Sequence, residues 1–452
     1  MKALQTLLKR FAEHPHAPAV IYHNRPTCYD QLLESVHHAK SVLLERVEPG
    51  STVSLVTDFC PDAIAVLIAL WLNRCTVALI TPRPSAQLQV LHDICQAQWV
   101  ANFDERGQLC VTPHTRSIEP ALIRQLRDQD TPGVIIFTSG SSGTPKASVH
   151  KALALLERHQ QRKRRLTSIA FLLFDHIGGL NALFYTLFNG GCLVIPASRQ
   201  PAPVAKAIEQ HRVQALTTSP TFLNLLLLSG AFEDHDLGSL EVINYSAEPM
   251  PEQVLHRLHK LLPHARLSQS YGLTETGVVP ARSESSRSGW MKLGDEACQV
   301  RVVDGLLEIR NNSTMLGYLN APSPFTEDGF YRTGDAVVQR GDWMKVLGRA
   351  TEMINVGGEK VFPSEIENVL KGLPRILDVM VSHERHAIAG SLITATFSLP
   401  EDESLADFKA RLYAFCKDRL PAFQLPRKVI LTQDSLHTAR FKKNRNPLKD
   451  MR

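Results

Sequence analysis

Short apolar runs alternate with segments of helical period along most of the chain. VSLV (53–56), TVALI (76–80), GVIIF (133–137) and CLVIP (192–196) have strand length without polar interruptions, and DAIAVLIALWL (62–72) and QLQVLHDICQAQWV (87–100) repeat apolar residues at helical spacing. This alternation predicts an α/β layered fold whose strands are buried on both faces. The run Ala63–Leu72 is apolar throughout, yet it is only about half of the roughly 20 residues that a bilayer crossing requires. It is expected to be a buried helix.

The pattern changes near Gly348. There WMKVLGRATEMINVGGEKVFPSEIENVL passes from a strand through a glycine-bearing stretch into a helix announced by Pro363, Ser364 and Glu365. The remaining residues mix helices (SEIENVLKGL, LADFKARLYAFCKDRL) with apolar strands (LDVMVS, SLITATFSL, KVILT), the pattern of a small α+β domain. The expectation is a large N-terminal α/β domain over 1–348 and a small α+β domain over 349–452. A chain of 452 residues exceeds what one core usually supports, so two units also follow from length. No repeat and no low-complexity tract interrupts this plan.

Composition narrows the function classes. A hydrophobic fraction of 44% with 21% charged residues is that of an ordinary globular protein. The formal net charge of +5 is too small to imply nucleic acid. One basic cluster, Arg158, Arg162, Lys163, Arg164 and Arg165, has two readings: a solvated helix face, or a surface meeting the phosphates of a nucleotide, of CoA or of an acidic carrier protein. The 8 cysteines form no CxxC pair, which disfavours a zinc site or a disulfide framework and fits a reducing cytoplasm. The N-terminus turns charged and proline-bearing before a long apolar core forms, unlike a secretory leader.

The strongest chemical signal is TSGSSGTPK, Thr138 to Lys146, directly after the strand VIIF. Its hydroxyls, glycines and lysine suit a loop whose backbone N–H groups and ammonium surround a polyphosphate; it is not the GxxxxGK[ST] loop. SQSYGLTETG (268–277), GFYRTGD (329–335) and GRATEMINVGGEKVFPSEIE (348–367) follow in order. Together these four segments resemble the adenylate-forming superfamily: acyl-CoA synthetases, aryl-acid ligases, luciferases and nonribosomal-peptide adenylation domains. The resemblance covers essentially the whole chain.

It implies ATP, Mg2+ and CoA (or the phosphopantetheine of a carrier protein) as cofactors. Ser139, Gly140, Ser141, Ser142, Gly143 and Lys146, with Thr138 at the loop's start, would handle the β and γ phosphates. Thr274 would hold the α-phosphate and Glu275 the metal, since a hard cation takes oxygen ligands. Asp335 would accept the ribose hydroxyls, with Arg349 beside it. Ser246, Ala247, Glu248 and Pro249 would line the adenine, with Tyr271 stacking on it and Gly272 adjoining. The lid lysine implied by HTARFKKNR is Lys442, with Lys443 as the alternative. Thr351 would be the pivot between two half-reactions, and Gly357 and Gly358 would line the pantetheine arm.

Within FLLFDHIGGLNALF (171–184), His176 matches the family histidine that closes over the substrate carboxylate. Amino-acid-activating relatives carry an aspartate where Ile177 stands, so the resemblance implies an acid without an α-ammonium, aromatic or aliphatic. The expected reaction is carboxylate plus ATP to acyl-AMP, then a thioester with CoA or a carrier protein. An idle nucleotide-binding relative is the rival from another class, and it predicts loss of the metal or lid residues.

Overall fold

The computed structural model describes residues 1–114, 119–138, 144–386 and 390–437. Two seven-stranded sheets, the first largely parallel and the second mixed, form the large domain. One runs in the order Arg266–Gln269, Val242–Tyr245, Ala215–Thr218, Thr167–Ile169, Cys192–Ile195, Pro18–Tyr22 and Arg25–Cys28. The other runs Gly317–Tyr318, Lys146–Lys151, Gly133–Thr138, Thr76–Ile80, Thr52–Val56, Trp99–Phe103 and Leu109–Pro113. All four apolar runs read from the sequence are strands. Each is buried along nearly its whole length, as strands covered on both faces are.

The helix Pro61–Leu72 is the centre of the largest apolar cluster, with Ala63 to Trp71 all buried. Cys60 caps it through its sulfur and Pro61 occupies the first turn, so an all-apolar segment is bounded by ordinary start signals. The segment 87–100 differs from expectation at its end. The helix stops at Cys95, Gln96 takes a left-handed φ of 51°, and Trp99 and Val100 open a strand instead. The apolar pair at the end of a helical-period run belongs to the next element.

A six-stranded antiparallel sheet follows, ordered Ala281–Ser283, Met291–Leu293, Trp343–Arg349, Tyr331–Arg340, Leu306–Asn311 and Cys298–Val303. Beyond it, a separate apolar cluster from Ile354 to Val429 forms the core of a small C-terminal domain. That domain pairs the helices Pro363–Leu370 and Leu405–Cys416 with a three-stranded sheet. Among the described residues no helix is long and apolar enough to cross a membrane.

Candidate active site

Thr138 ends one strand and Lys146 begins the next, and the two face each other across an antiparallel pair. Ser139, Gly140, Ser141, Ser142 and Gly143, which follow Thr138 in the chain, lie outside the described residues. The hairpin's far end is fixed from the core, where the Trp71 indole N–H donates to the Gly133 carbonyl at 3.1 Å. Thr138 and Lys146 therefore emerge at the carboxyl end of a central strand, the edge at which open α/β sheets bind ligands.

A tyrosine links this lysine to the predicted metal carboxylate. Lys146 Nζ lies 5.3 Å from the centroid of the Tyr318 ring, within reach of its negative face. The Tyr318 hydroxyl donates to Glu275 Oε1 at 2.6 Å. Burial, together with the nearby Glu275 charge, pushes the Tyr318 phenol far up, so it stays a donor. Tyr331 beside it is pushed up to about 12, again mainly by burial.

Glu275 sits in the turn between the short strands Tyr271–Leu273 and Gly277–Val279, with Thr274 half-exposed before it. The segment 311–315 pins that turn. Met315 N–H donates to the Glu275 carbonyl at 2.7 Å, and Asn311 Nδ2 and Ser313 Oγ donate to the Thr276 carbonyl at 3.1 and 3.0 Å. Gly272 is required by the hairpin itself, because a Cβ there would lie 2.7 Å from the Gly277 carbonyl oxygen and 2.9 Å from Val278 Cα.

Asp335 and Arg349 face each other in register on one β-hairpin. Arg349 Nε is 3.0 Å from Asp335 Oδ1, and the Tyr271 hydroxyl donates to Asp335 Oδ2. The Thr333 hydroxyl accepts the Asp335 N–H at 3.0 Å and donates to the Leu307 carbonyl at 2.7 Å, fixing the backbone beneath the carboxylate. Burial raises the Asp335 pKa, against the Arg349 charge and the Tyr271 hydrogen bond, which lower it. The Tyr271 ring lies in the apolar cluster of the third sheet, so one side chain joins that core to the carboxylate.

Ser246 to Pro249 follow the strand Val242–Tyr245, with Ser246, Glu248 and Pro249 half-buried and Ala247 exposed at a φ of +75°. Glu248 accepts from the Thr221 hydroxyl at 2.5 Å. His176 caps the helix Ile177–Phe188, its Nδ1 accepting from Gly178 N–H at 3.0 Å. In the neutral ring this leaves the proton on Nε2. Asp175 is engaged elsewhere, 2.9 Å from the Thr81 hydroxyl and 3.2 Å from Arg83.

Several expected residues stand apart from this cluster. Gly357 and Gly358 form the exposed two-residue turn between Ile354–Val356 and Glu359–Val361, with φ of 62° and 98°; the turn geometry itself calls for glycine. Thr351 lies exposed in the 3-10 turn Ala350–Glu352. Lys442 and Lys443 lie outside the described residues. Much of the basic cluster is spent within the chain: Arg158 donates to the Val278 carbonyl, Arg162 pairs with Glu13 at 2.8 Å and Arg164 with Glu241 at 2.5 Å. Sequence reasoning passed over Tyr318 and Thr333. The Tyr in LGYLN, directly after a glycine and two residues before an asparagine, was the available signal.

Glu275 is a single buried carboxylate, and no group of three or more His, Cys, Asp or Glu suited to a metal occurs among the described residues. That donor set fits magnesium, which is commonly held by one or two carboxylates plus phosphate oxygens and water, and does not fit an all-protein metal cage.

The AMP-binding enzyme model matches residues 7–319 and the AMP-binding enzyme C-terminal domain model matches residues 365–442, and the chain belongs to this family. It is an AMP-forming acid–thiol ligase. An indoleacetate–CoA ligase of Aromatoleum aromaticum is 26% identical over 83% of this chain and 79% of its own length. A 2-succinylbenzoate–CoA ligase of Bacillus pumilus is 25% identical over 99% of this chain and 98% of its own. An L-proline–[L-prolyl-carrier protein] ligase of Pseudomonas fluorescens is 28% identical over 86% and 80%. The fold is shared with an anthranilate CoA ligase bound to anthranoyl-AMP, at a TM-score of 0.85 and 18% identity over 99% of this chain and 96% of the other.

Proposed function

We propose that the chain activates a carboxylic acid with ATP at the junction of its two domains, releasing pyrophosphate, and then transfers the acyl group to the thiol of CoA, with a carrier-protein phosphopantetheine as the alternative acceptor. The observation that carries this reading is the convergence of Lys146, Glu275, Asp335 and Arg349 through two tyrosines. These are the groups a nucleoside triphosphate requires: an ammonium for phosphates, an oxygen ligand for a cation, and an acceptor with a guanidinium for a ribose and its phosphate.

Attack of the acid on the α-phosphorus brings two anions together, so rate comes from positioning and from positive charge at the pentacovalent centre. Thr138, the turn 139–143 and Lys146 hold the departing pyrophosphate, and Thr274 holds the α-phosphate. Magnesium at Glu275 supplies charge neutralisation between the phosphates when bound. Asp335 and Arg349 fix the ribose, and Ser246 to Pro249 with Tyr271 and Gly272 flank the base. His176, with its Nε2 proton, orients the acid's carboxylate.

The lid begins after Gly348 and turns about Thr351. It first delivers Lys442 to the phosphate and then presents Gly357 and Gly358 to the pantetheine arm. The acid is aromatic or aliphatic and lacks an α-ammonium, which fits Ile177 in the apolar core and Asp175 held by Thr81 and Arg83. The compartment that fits the unpaired cysteines is the cytoplasm.

Acid-stimulated exchange of labelled pyrophosphate into ATP tests this reading. Exchange is expected with at least one acid of a broad panel, and its absence across the panel would refute it. Lys442→Ala is expected to abolish exchange while leaving thioester formation from synthetic acyl-AMP largely intact. Equal loss of both steps contradicts that role, and retention of both points to Lys443.

A further inference from the structure

The first sheet has two unlike faces. Leu216, Ile243 and Leu267 pack into the apolar cluster on one side. On the other side Thr217, Asn244 and Ser268 stand in one register row, and Ser168, Ala215, Val242 and Arg266 in a neighbouring row. Half-buried polar residues thus stand on the sheet face that shares a cavity with Asn181, Ala182 and Tyr185 of the helix Ile177–Phe188, where an apolar row would normally fill the space. Between sheet and helix lies a cavity of about 450 Å3, large enough for a small organic molecule.

The helix that walls the cavity starts at His176, and its Asn181 lines both this cavity and a smaller one of about 20 Å3 that Val278 and Ser313 border. Asn181 Oδ1 is buried without a hydrogen-bond partner, and such a group costs on the order of 1–3 kcal/mol unless something satisfies it. Among the described residues, the side chains of Ser168, Thr217 and Asn244 also make no hydrogen bond. The helix that roofs the cavity begins at His176, and its Tyr185 lies nine residues on, a distance of about 13 Å at the helical rise.

The far end is cationic. Arg164, Arg266 and His264 line it against one acid, Glu241. Arg164 and Gln214 already occupy Glu241, at 2.5 and 2.6 Å. Arg266 has no carboxylate partner among the described residues, and it acts with Arg164 on the Tyr185 phenol. The channel therefore offers hydrogen-bonding groups along its length and an uncompensated guanidinium at its end.

We infer that this channel receives the body of the activated acid, and that the acid is a dicarboxylate whose second carboxylate is met by Arg266 and Tyr185. The inference rests on the adenylation reading above. A monoacid of the same length would leave the Arg266 guanidinium and the Tyr185 hydroxyl without an anion at the end of the channel, the situation in which a polar pocket discriminates most strongly.

The test is pyrophosphate exchange by the full chain with straight dicarboxylic acids of six to ten carbons, each beside its monocarboxylic counterpart. At the matching length kcat/KM is expected to favour the diacid by about tenfold or more, the worth of one hydrogen bond to a charged group. Arg266→Gln is expected to bring that ratio near one; Arg266 is solvent-exposed, so the change does not threaten folding. Equal or faster exchange with the monoacids, or a ratio indifferent to Arg266→Gln, overturns the inference while leaving adenylation standing. Exchange with neither class but with some other acid also overturns it. Exchange with no acid at all removes the adenylation reading itself.

Discussion

Replacing Asp335 by asparagine separates what this carboxylate does for the nucleotide from what it does for the fold. The side chain is 9% exposed, and burial raises its pKa above the ordinary carboxylate value. A carboxyl whose folded pKa is raised binds its proton more tightly in the folded state, so its stability contribution falls as pH rises from the unfolded pKa through the folded one. At neutral pH the charge is a net burden on folding. Asparagine keeps the shape and removes that burden. Arg349 is left with a side chain 43% exposed and a second contact to the Thr333 carbonyl at 2.5 Å, so little is orphaned. The thermal midpoint of Asp335→Asn is therefore expected to equal or exceed that of the parent. Function moves the other way. A ribose hydroxyl donating to a carboxylate is worth about 1 kcal/mol more than one donating to the neutral amide oxygen of asparagine, so KM for ATP in pyrophosphate exchange should rise about fivefold at 1.4 kcal/mol per decade. A midpoint that drops by several degrees with KM unchanged would show Asp335 to be structural and would refute the ribose assignment.

Tyr318→Phe removes the hydroxyl that holds Glu275 and is expected to lower kcat/KM for exchange about tenfold, in line with one hydrogen bond to a charged acceptor; an unchanged value would dismiss the tyrosine bridge. His159, buried against Tyr185 and Phe188, has its pKa lowered to about 3 by burial and then by the Arg158 and Lys163 charges. The unfolded chain takes up this proton below its ordinary 6.5, so stability is lost as pH falls from there toward 3, by up to about 1.4 kcal/mol per pH unit. His159→Phe should flatten the decline in urea midpoint between pH 6.5 and 4, and parallel declines would count against it. Ala247 holds a φ of +75°; Ala247→Gly relieves that strain at some entropic cost and is expected to stabilise by about 0.5 kcal/mol, measured as a higher urea midpoint. A lower midpoint would mean the conformation is not strained.

The layered fold was legible because it rests on local signals. Unbroken apolar runs mark strands covered on both faces, GLTE sets Glu275 in the turn between two short strands, and the glycine pair Gly357–Gly358 marks a two-residue turn. What stayed hidden depends on partners distant in the chain. Tyr318 reads as one aromatic among many until strand pairing sets it beside Lys146 and Glu275. The arginines from Arg158 to Arg164 read as a charged surface, whereas Arg158 and Arg162 find Val278 and Glu13 more than a hundred residues away. Thr217 and Asn244 alternate with apolar neighbours in a way compatible with a solvent-facing strand. Only the helix Ile177–Phe188 across the cavity makes that half-buried polar face the wall of a pocket.

Asp335 and Arg349 belong to a single hairpin, and both precede Thr351, the proposed pivot. Under the proposed rotation about Thr351 the two ends of this grip would stay together. The adenosine moiety would then stay fastened while the acyl group changes hands, and a reactive mixed anhydride would have no occasion to drift into water before its thiol arrives.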